Sequence, residues 1–531
     1  RLILLAALVF FTARAGADES AKSLPAVFTP VAPVIDGDLG DEAWQDAPLI
    51  TEFHQLEPVE YAPPSEATEV RVLYDHEYLY VGARLHYSDM GILTATGMTP
   101  RQRIWRDDRL YIILDPFMDR RNGYLFEANA YGIQGDSLLE NNSQRINEWA
   151  GVWQVETRID DLGWSVEFKI PFATVSFDPA NGDWGFNVMR DIKQTQERLA
   201  WSSQGLQELM EAPSGAGTLT GLSGLKGGIG LDLIPSASLQ KTRDFVTGEE
   251  HSEFEPSLDA TYRITPSLTA KLTVNTDFSA TEVDDRQVNL SRFSLFFPEK
   301  RNFFLQDAGI FEFASLRFNG RPFFSRTIGL TEDGEPLNLN AGGKLTGRVG
   351  NWNLGFLGVQ QESSAQLGHR NLFVGRAAYN VLEHSSIGFL VTDGDPLEDR
   401  NARTLGLDFR YRDTRFHGDK ILQADAWYQQ TDNEGPAGAA PGDDDAWVFH
   451  LLLPNDRHRV DTWIYDFGEN FDPAMGFVNR TGIRDSHFNY RFRTRPVDSY
   501  WKAHDHQLGY RRTESSTDSE LSETLELTVW G

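Results

Sequence analysis

Residues 284–324 read DDRQVNLSRFSLFFPEKRNFFLQDAGIFEFASLRFNGRPFF. Ten of the chain's 34 phenylalanines fall between Phe293 and Phe324. They are interleaved with Arg292, Glu299, Lys300, Arg301, Asp307, Glu312, Arg317 and Arg321. A soluble core strand would not carry so many charges, and a solvated loop would not carry so many rings. The segment needs a place that buries rings and pairs charges together. The lumen or rim of a wide β-barrel is such a place, because its walls are polar and can hold a folded-in segment. An aromatic patch on an ordinary β-domain is the competing reading, and the flanking sequence has to decide.

Beyond about residue 225 the flanks alternate with period two. Leu268, Ala270, Leu272 and Val274 share one face, with Thr269, Lys271 and Thr273 on the other. Leu405, Leu407, Phe409 and Tyr411 do the same, as do Leu422, Ala424, Ala426 and Tyr428, and then Leu525, Leu527 and Val529. Short polar turns such as 264–266 and 350–351 join strands, while Thr431–Asp445 reads as an exposed loop. Segments near ten residues with one apolar and one polar face are the transmembrane-barrel pattern. A soluble barrel or second sandwich with its apolar face inward has the same period. The expectation is that residues 284–324 pack inside the barrel and pair their charges with lumen residues such as Lys271, Arg410 or Asp425. The strand pattern still runs at Trp530-Gly531, so an incomplete barrel with an unpaired edge is expected.

The chain has 531 residues, a net charge of −29 and no cysteine. The acidity leaves no basic stripe for phosphates and argues against a nucleic-acid partner. Disulfides, thiol catalysis and cysteine-ligated zinc are excluded. Residues 1–17 read as a secretory signal peptide, with an apolar run at Leu2–Phe11 and small residues at 13–17. Residue 1 is Arg, so the sequence is expected to begin inside its reading frame. No run reaches the ~20 apolar residues of a membrane helix. The expected location is the bacterial envelope, with outer-membrane lipid as one partner.

Residues 26–222 read as a β-sandwich. Turn signals at Asp36-Gly37 and Leu39-Gly40 precede Trp44, an expected core anchor. Leu79, Val81, Ala83 and Leu85 share a face, Leu110–Leu114 is apolar throughout, and Trp164, Val166, Phe168 and Ile170 alternate with polar residues. A Gly- and Ser-rich stretch, APSGAGTLTGLSGLKGGIG, ends this domain near Leu222, and the barrel is assigned to 225–531.

Several of these stretches carry a resemblance. IDGDLGDEAW (35–44), YDHEYLYVGARLHYSD (74–89), DDRLYIILDP (107–116), GWSVEFKIPF (163–172) and WGFNVMRD (184–191) resemble the family 9 carbohydrate-binding module. Residues 273–313, and FDPAMGFVNRTGIR at 471–484, resemble a bacterial envelope family in which such a module precedes a long outer-membrane barrel domain. The resemblance implies an all-β chain, a glycan or polysaccharide as partner, and residues 471–484 folded inward with 284–324. Modules of this family pair two tryptophans around a terminal sugar, but the loops here do not align well enough to transfer that pair.

Local composition supplies the candidates instead. Trp105 in RQRIWRDDR and Trp149 in NNSQRINEWAG lie in polar loops, where a structural indole has little core. With Asp108, Asn129 and Arg190 as hydrogen-bonding groups, they are expected to frame a shallow site at one end of the sandwich. Trp153, Trp164 and Trp184 sit in or beside alternating strands and read as core. No metal or cofactor is assigned: Asp36, Asp38, Asp41 and Glu42 could hold calcium, but their spacing lacks the calcium-loop pattern. Catalytic motifs are missing, namely GxSxG, HExxH and a P-loop. Glu127 and Glu140 are weak candidates for a glycosidase carboxyl pair. The expected function is non-enzymatic carbohydrate binding at the outer membrane. A role in polysaccharide breakdown as a glycoside hydrolase or accessory, or a barrel with a plug or docking sandwich, remain alternatives.

Overall fold

Strand Gly163–Pro171 shows how the first domain is built. Trp164, Val166, Phe168 and Ile170 point into one core, while Glu167 is buried on the opposite face. There its carboxylate accepts hydrogen bonds from Trp44 Nε1 at 2.8 Å, Gly37 N at 2.7 Å and Asp36 N at 2.9 Å. The DG turn therefore folds over the outside of the sheet, and Trp44 anchors a satellite cluster with Leu73 and Tyr80 rather than the main core. Gly37 has φ +84, and a Cβ there would stand 2.6 Å from the Thr157 carbonyl carbon, so only glycine permits this approach.

The computed structural model describes residues 22–530 except 98–103, 141, 143, 148, 204–209, 228–229, 244–249, 266, 277–298, 306, 315–318, 332–336, 364–367, 383, 419, 435–443, 497–502 and 516–518. The signal-like residues 1–17, and 284–298 of the aromatic stretch, lie outside the described residues. The first domain is a sandwich of a nine-stranded and a six-stranded sheet. In the larger, Trp184–Ile192, Arg109–Asp115, Gly123–Asn129 and Gln134–Glu140 are central neighbours. In the smaller, Gly163–Pro171 pairs with Tyr78–His86 and Gln154–Asp160. Leu79, Val81, Ala83, Leu85, Leu110, Ile112, Leu114, Trp164 and Trp184 share the core between them.

The second domain is one antiparallel sheet of 14 strands in sequential order, from Leu231–Arg243 to Glu520–Trp530. Among the described residues its two outer strands do not pair with each other, and Glu520–Trp530 forms an open edge. The apolar faces named from sequence are the outer ones. Leu272 is 60% exposed and Leu407 56%, and Leu405, Phe409, Tyr428, Leu525, Leu527 and Val529 are exposed as well. Thr269, Lys271, Thr273, Asp408, Arg410 and Asp425 are buried inside. This inverts the rule for soluble sheets, whose apolar face turns inward. No helix among the described residues is long and apolar enough to cross a membrane. The loop expected at Thr431–Asp445 is shorter than the sequence suggested, because Lys420–Asn433 and Asp444–Pro454 extend into it as strand.

The described residues between 299 and 328 lie within the curved sheet and line it with rings. Phe303, Phe304 and Phe311 pack with Leu357, Val359, Leu372, Val374 and Met475. Phe313 packs with Leu390, Trp427, Phe467 and Phe471. Where these rings land, the wall turns apolar on its inner face. The 284–324 stretch and the 471–484 motif meet directly: Arg321 and Phe477 exchange backbone hydrogen bonds of 3.1 and 2.9 Å. The expected charge partners hold in part: Asp307 of the segment acts electrostatically on Lys271. Arg410 and Asp425 pair with each other at 3.1 Å. The inward segment is held mainly through its backbone and Asp307, by Lys344 Nζ to Phe303 O at 2.7 Å, Thr346 Oγ1 to Asp307 at 2.8 Å and Gln429 Nε2 to Gly320 O at 2.6 Å. Lys271 lies 5.8 Å from the Phe303 ring centre, a cation–π contact.

Strand order also fixes where the sandwich sits. One end of the sheet carries connections of two or three residues at 266–267, 350–351, 382–384, 417–419 and 455–457, with 495–503 the one longer. The other carries the long ones, including 277–338 and 468–482. The sandwich docks on the short-turn end. Asp119 pairs with Arg348 at 3.0 Å, Phe117 lies under the same guanidinium at 4.3 Å, and Arg121 reaches Asn380 Oδ1 at 2.8 Å and the Ser385 carbonyl.

Candidate functional site

Of the five residues nominated from sequence, three are sealed inside the sandwich. Asp108 accepts from Lys193 N at 2.6 Å, Tyr87 Oη at 2.7 Å and Thr94 N at 3.2 Å. Asn129 donates to Asp107 at 2.9 Å and accepts from Ile133 N at 3.0 Å. Arg190 donates to Ala67 O and His86 O, each at 2.8 Å, and stacks on Tyr87 at 4.7 Å. All three are wholly buried and committed to fixing loops between strands. The two tryptophans also part company. Trp149 is half-buried, with Tyr124 and Phe126 ring centres at 5.3 and 5.9 Å, near the start of strand Gly123–Asn129. Trp105 is 50% exposed, under Arg106 at 4.8 Å, and its loop is locked by Asp107 to Asn129 at that strand's other end.

The carboxylates of the acidic turn are spent locally. Asp36 accepts from Asp38 N at 2.9 Å, Asp38 pairs with Arg158 at 2.6 Å and Asp41 accepts from Val34 N at 2.7 Å. Among the described residues no group of three or more His, Asp or Glu is arranged to hold a metal ion. The Glu127 and Glu140 pair does not fit glycosidase geometry. Glu127 lies opposite Gly135, so Glu140 is five positions further along, roughly 16 Å away at strand rise. That exceeds either glycosidase separation.

A different constellation occupies the outer face of the larger sheet. Alternation sends Leu110 and Ile112 into the core and Arg109, Tyr111 and Ile113 outward. Register sets Arg109 opposite Asp191, and Asp191 opposite Arg198. Arg109 Nε donates to Asp191 at 3.0 Å, while its Nη1 pairs with Glu127, which Arg145 also grips. Asp191 further receives Arg198 at 3.0 Å and Lys193 at 2.7 Å. Burial works to raise the Asp191 pKa, but Arg109, Arg198 and Lys193 outweigh it and hold the group well below the usual carboxylate range. Arg109, Glu127 and Asp191 are buried, whereas Arg145, Lys193 and Arg198 are partly open to solvent.

Aromatic surface flanks this row. His54 stacks on the exposed Tyr61 at 5.1 Å and 23°, and His54 lies opposite Ala200 in the pairing, one same-face position along from Arg198. Trp105 enters at the end where Arg109 begins its strand. Guanidinium and ammonium donors beside exposed rings suit hydroxyl-rich ligands with apolar faces. Sequence reasoning named Glu127 for another role and missed Arg109, Asp191 and Arg198. Their only signal was a charged residue at the outward position of an otherwise apolar strand.

Comparison with known proteins agrees with the two-part architecture. Residues 35–218 match the model "Carbohydrate family 9 binding domain-like", and residues 228–354 match "Domain of unknown function (DUF5916)". No curated protein matches the chain. Among solved structures, a family 9 carbohydrate-binding module from Caldicellulosiruptor kristjanssonii, in complex with cellotriose, is similar at 21% identity. The match covers 39% of this chain and 95% of that one, with a TM-score of 0.29. OpdL from Pseudomonas aeruginosa is similar at 11% identity over 80% of this chain and 98% of that one, with a TM-score of 0.28. OccAB2 from Acinetobacter baumannii is similar at 10% identity over 76% and 79%, with a TM-score of 0.27. Over residues 35–218 the chain is thus similar to the carbohydrate family 9 binding domain-like family, and over residues 228–354 to the DUF5916 family.

Proposed function

We propose that this chain is an outer-membrane protein that binds a glycan on its sandwich domain and anchors that domain through its β-barrel. The carrying observation for the membrane half is the inverted alternation, with Leu405, Leu407 and Phe409 outward and Asp408 and Arg410 inward. The glycan half is supported by the family match over residues 35–218 and by the open edge of the Arg145–Lys193–Arg198 row beside Tyr61 and Trp105. Short turns in bacterial barrels face the periplasm. On this reading the sandwich is periplasmic, since it docks at the short-turn end. The test is glycan-array binding of the full chain in detergent, followed by titration of Tyr61→Ala, Trp105→Ala and Arg198→Ala. Loss of at least tenfold in affinity with unchanged melting supports the outer-face site. Unchanged affinity in all three overturns it.

A second reading, in which the sandwich acts as a plug, is favoured by the Asp119–Arg348 and Arg121–Asn380 contacts across the barrel mouth. The two readings are compatible, since the charged row lies on the sheet's outer face and the docking residues on its connecting loops.

A further inference from the structure

Strand Gln134–Glu140 ends at the barrel, and its last residue meets the inward segment. Glu140 is only 5% exposed. Gly309 donates its N–H to the Glu140 carboxyl, and a Cβ at Gly309 would stand 2.2 Å from Glu140 Oε1. The glycine is therefore what lets the carboxyl approach. Among the described residues the second oxygen, Oε2, finds no hydrogen-bond partner although it is buried. A buried polar atom without a partner costs on the order of 1–3 kcal/mol, so it points to a group that supplies a donor.

The carboxyl borders a cavity of about 280 Å³ inside the barrel. Its apolar wall is made by Phe304, Phe311 and Phe323, with the last two ring centres 5.6 Å apart. Its polar wall carries both signs, with Glu140, Glu299 and Glu312 beside Arg145, Arg321 and Lys344. Burial, then Glu312 and Asp307 nearby, raise the Glu140 carboxyl well above its ordinary pKa, which favours the protonated form that can donate as well as accept. An anion meets the glutamates and a cation meets Arg145, Arg321 and Lys344. A neutral molecule bearing several hydroxyls satisfies both walls and lays its C–H face on the rings.

We propose that this luminal cavity binds a small neutral polyol of the mono- or disaccharide class, with Glu140 Oε2 hydrogen-bonded to a ligand hydroxyl. The site shares a ligand class with the sandwich reading, and Arg145 borders both, so the test turns on Arg198 and Ala308, which each belong to one site alone. The test uses the full chain in detergent with glucose and cellobiose as probes, read by saturation-transfer NMR and calorimetry. Arg198→Ala removes the outer-face site, and binding that persists in it is the expected luminal event. In that background Glu140→Leu should weaken binding at least tenfold. Ala308→Phe fills the cavity from a lining position without removing a core group, and should do the same. It also keeps the test open if Glu140→Leu does not fold. Sugar binding that disappears with Arg198→Ala overturns the luminal site and leaves the sandwich reading standing. Binding unchanged by Ala308→Phe in a folded protein overturns it as well, as does failure of the wild-type chain to bind either probe.

Discussion

Asp191 and Asp115 are both buried carboxylates in the larger sandwich sheet, and their environments drive them in opposite directions. Asp191 sits among Arg109, Arg198 and Lys193, and its folded pKa is depressed. Its contribution to stability is present above the ordinary aspartate value and is lost as pH falls toward the depressed one. Asp115 is pushed up to about 7, first by burial and then by Asp119, although Arg120 N donates to it at 2.8 Å. A raised acid favours folding while protonated. That stability is full below pH ~4 and is lost as pH rises to about 7. Asp115→Asn should therefore flatten the decline in melting temperature between pH 5 and 8 seen in the wild type, as thermal melts across that range would check. Asp191→Ala leaves Arg109 with Glu127 and Glu211 but removes the carboxylate it shares with Arg198 and Lys193, and should cost about 3–5 kcal/mol, measured by denaturant unfolding at pH 7. Neither behaviour is visible in the sequence, where both residues are simply aspartates bounding apolar strands.

At the scale of the element, strand Ala402–Phe416 separates two kinds of substitution. Leu407 faces outward and Asp408 inward, where Asp408 takes both guanidinium nitrogens of Arg376, one at 2.9 Å. On the proposed membrane reading, Leu407→Arg places a charge on the lipid face and should destabilise the barrel by about 2–4 kcal/mol near the midplane, read as a shift in urea-dependent folding into lipid vesicles. Asp408→Ala should leave vesicle insertion intact but strand the Arg376 charge in the lumen and loosen Ala314, whose N–H donates to Asp408 at 3.3 Å. Trypsin cleavage between residues 299 and 328 should then become faster. If both variants behave alike, the faces are misassigned. The strand itself was legible from period two alone, and so was the unusual character of the 284–324 stretch. The orientation was not, because a period of two says which residues share a face and nothing about which face meets lipid.

For the whole molecule, the docking of the sandwich on the short-turn mouth makes a joint prediction. Asp119, Arg121 and Arg348 hold the two domains together across a cavity of about 130 Å³ bordered by Arg121, Asp307 and Arg410. The double variant Asp119→Ala/Arg121→Ala removes the ion pair and the Asn380 hydrogen bond together. Planar-bilayer recordings should show larger or more frequent conductance steps than for the wild type, with the sandwich's own melting little changed. Equal conductance would mean that the inward segment alone closes the lumen.

What the sequence determined by itself was local and periodic. It specified two all-β regions with a Gly- and Ser-rich junction, strands whose faces are fixed by alternation, and a segment too aromatic for solvent and too charged for a soluble core. Alternation and composition are properties of neighbouring residues, so they survive without a fold. The tertiary structure alone decided which face turned outward, that Asp108, Asn129 and Arg190 are buried with hydrogen bonds to loops, and that Trp105 and Trp149 lie towards different ends of one strand. It alone assembled Arg109, Asp191 and Arg198, which are distant along the chain or hidden among apolar neighbours, into one row. It also brought Glu140 against Gly309. A buried polar group is defined by the partner it finds, and here most of those partners lie tens to hundreds of residues away, set by strand register and domain docking.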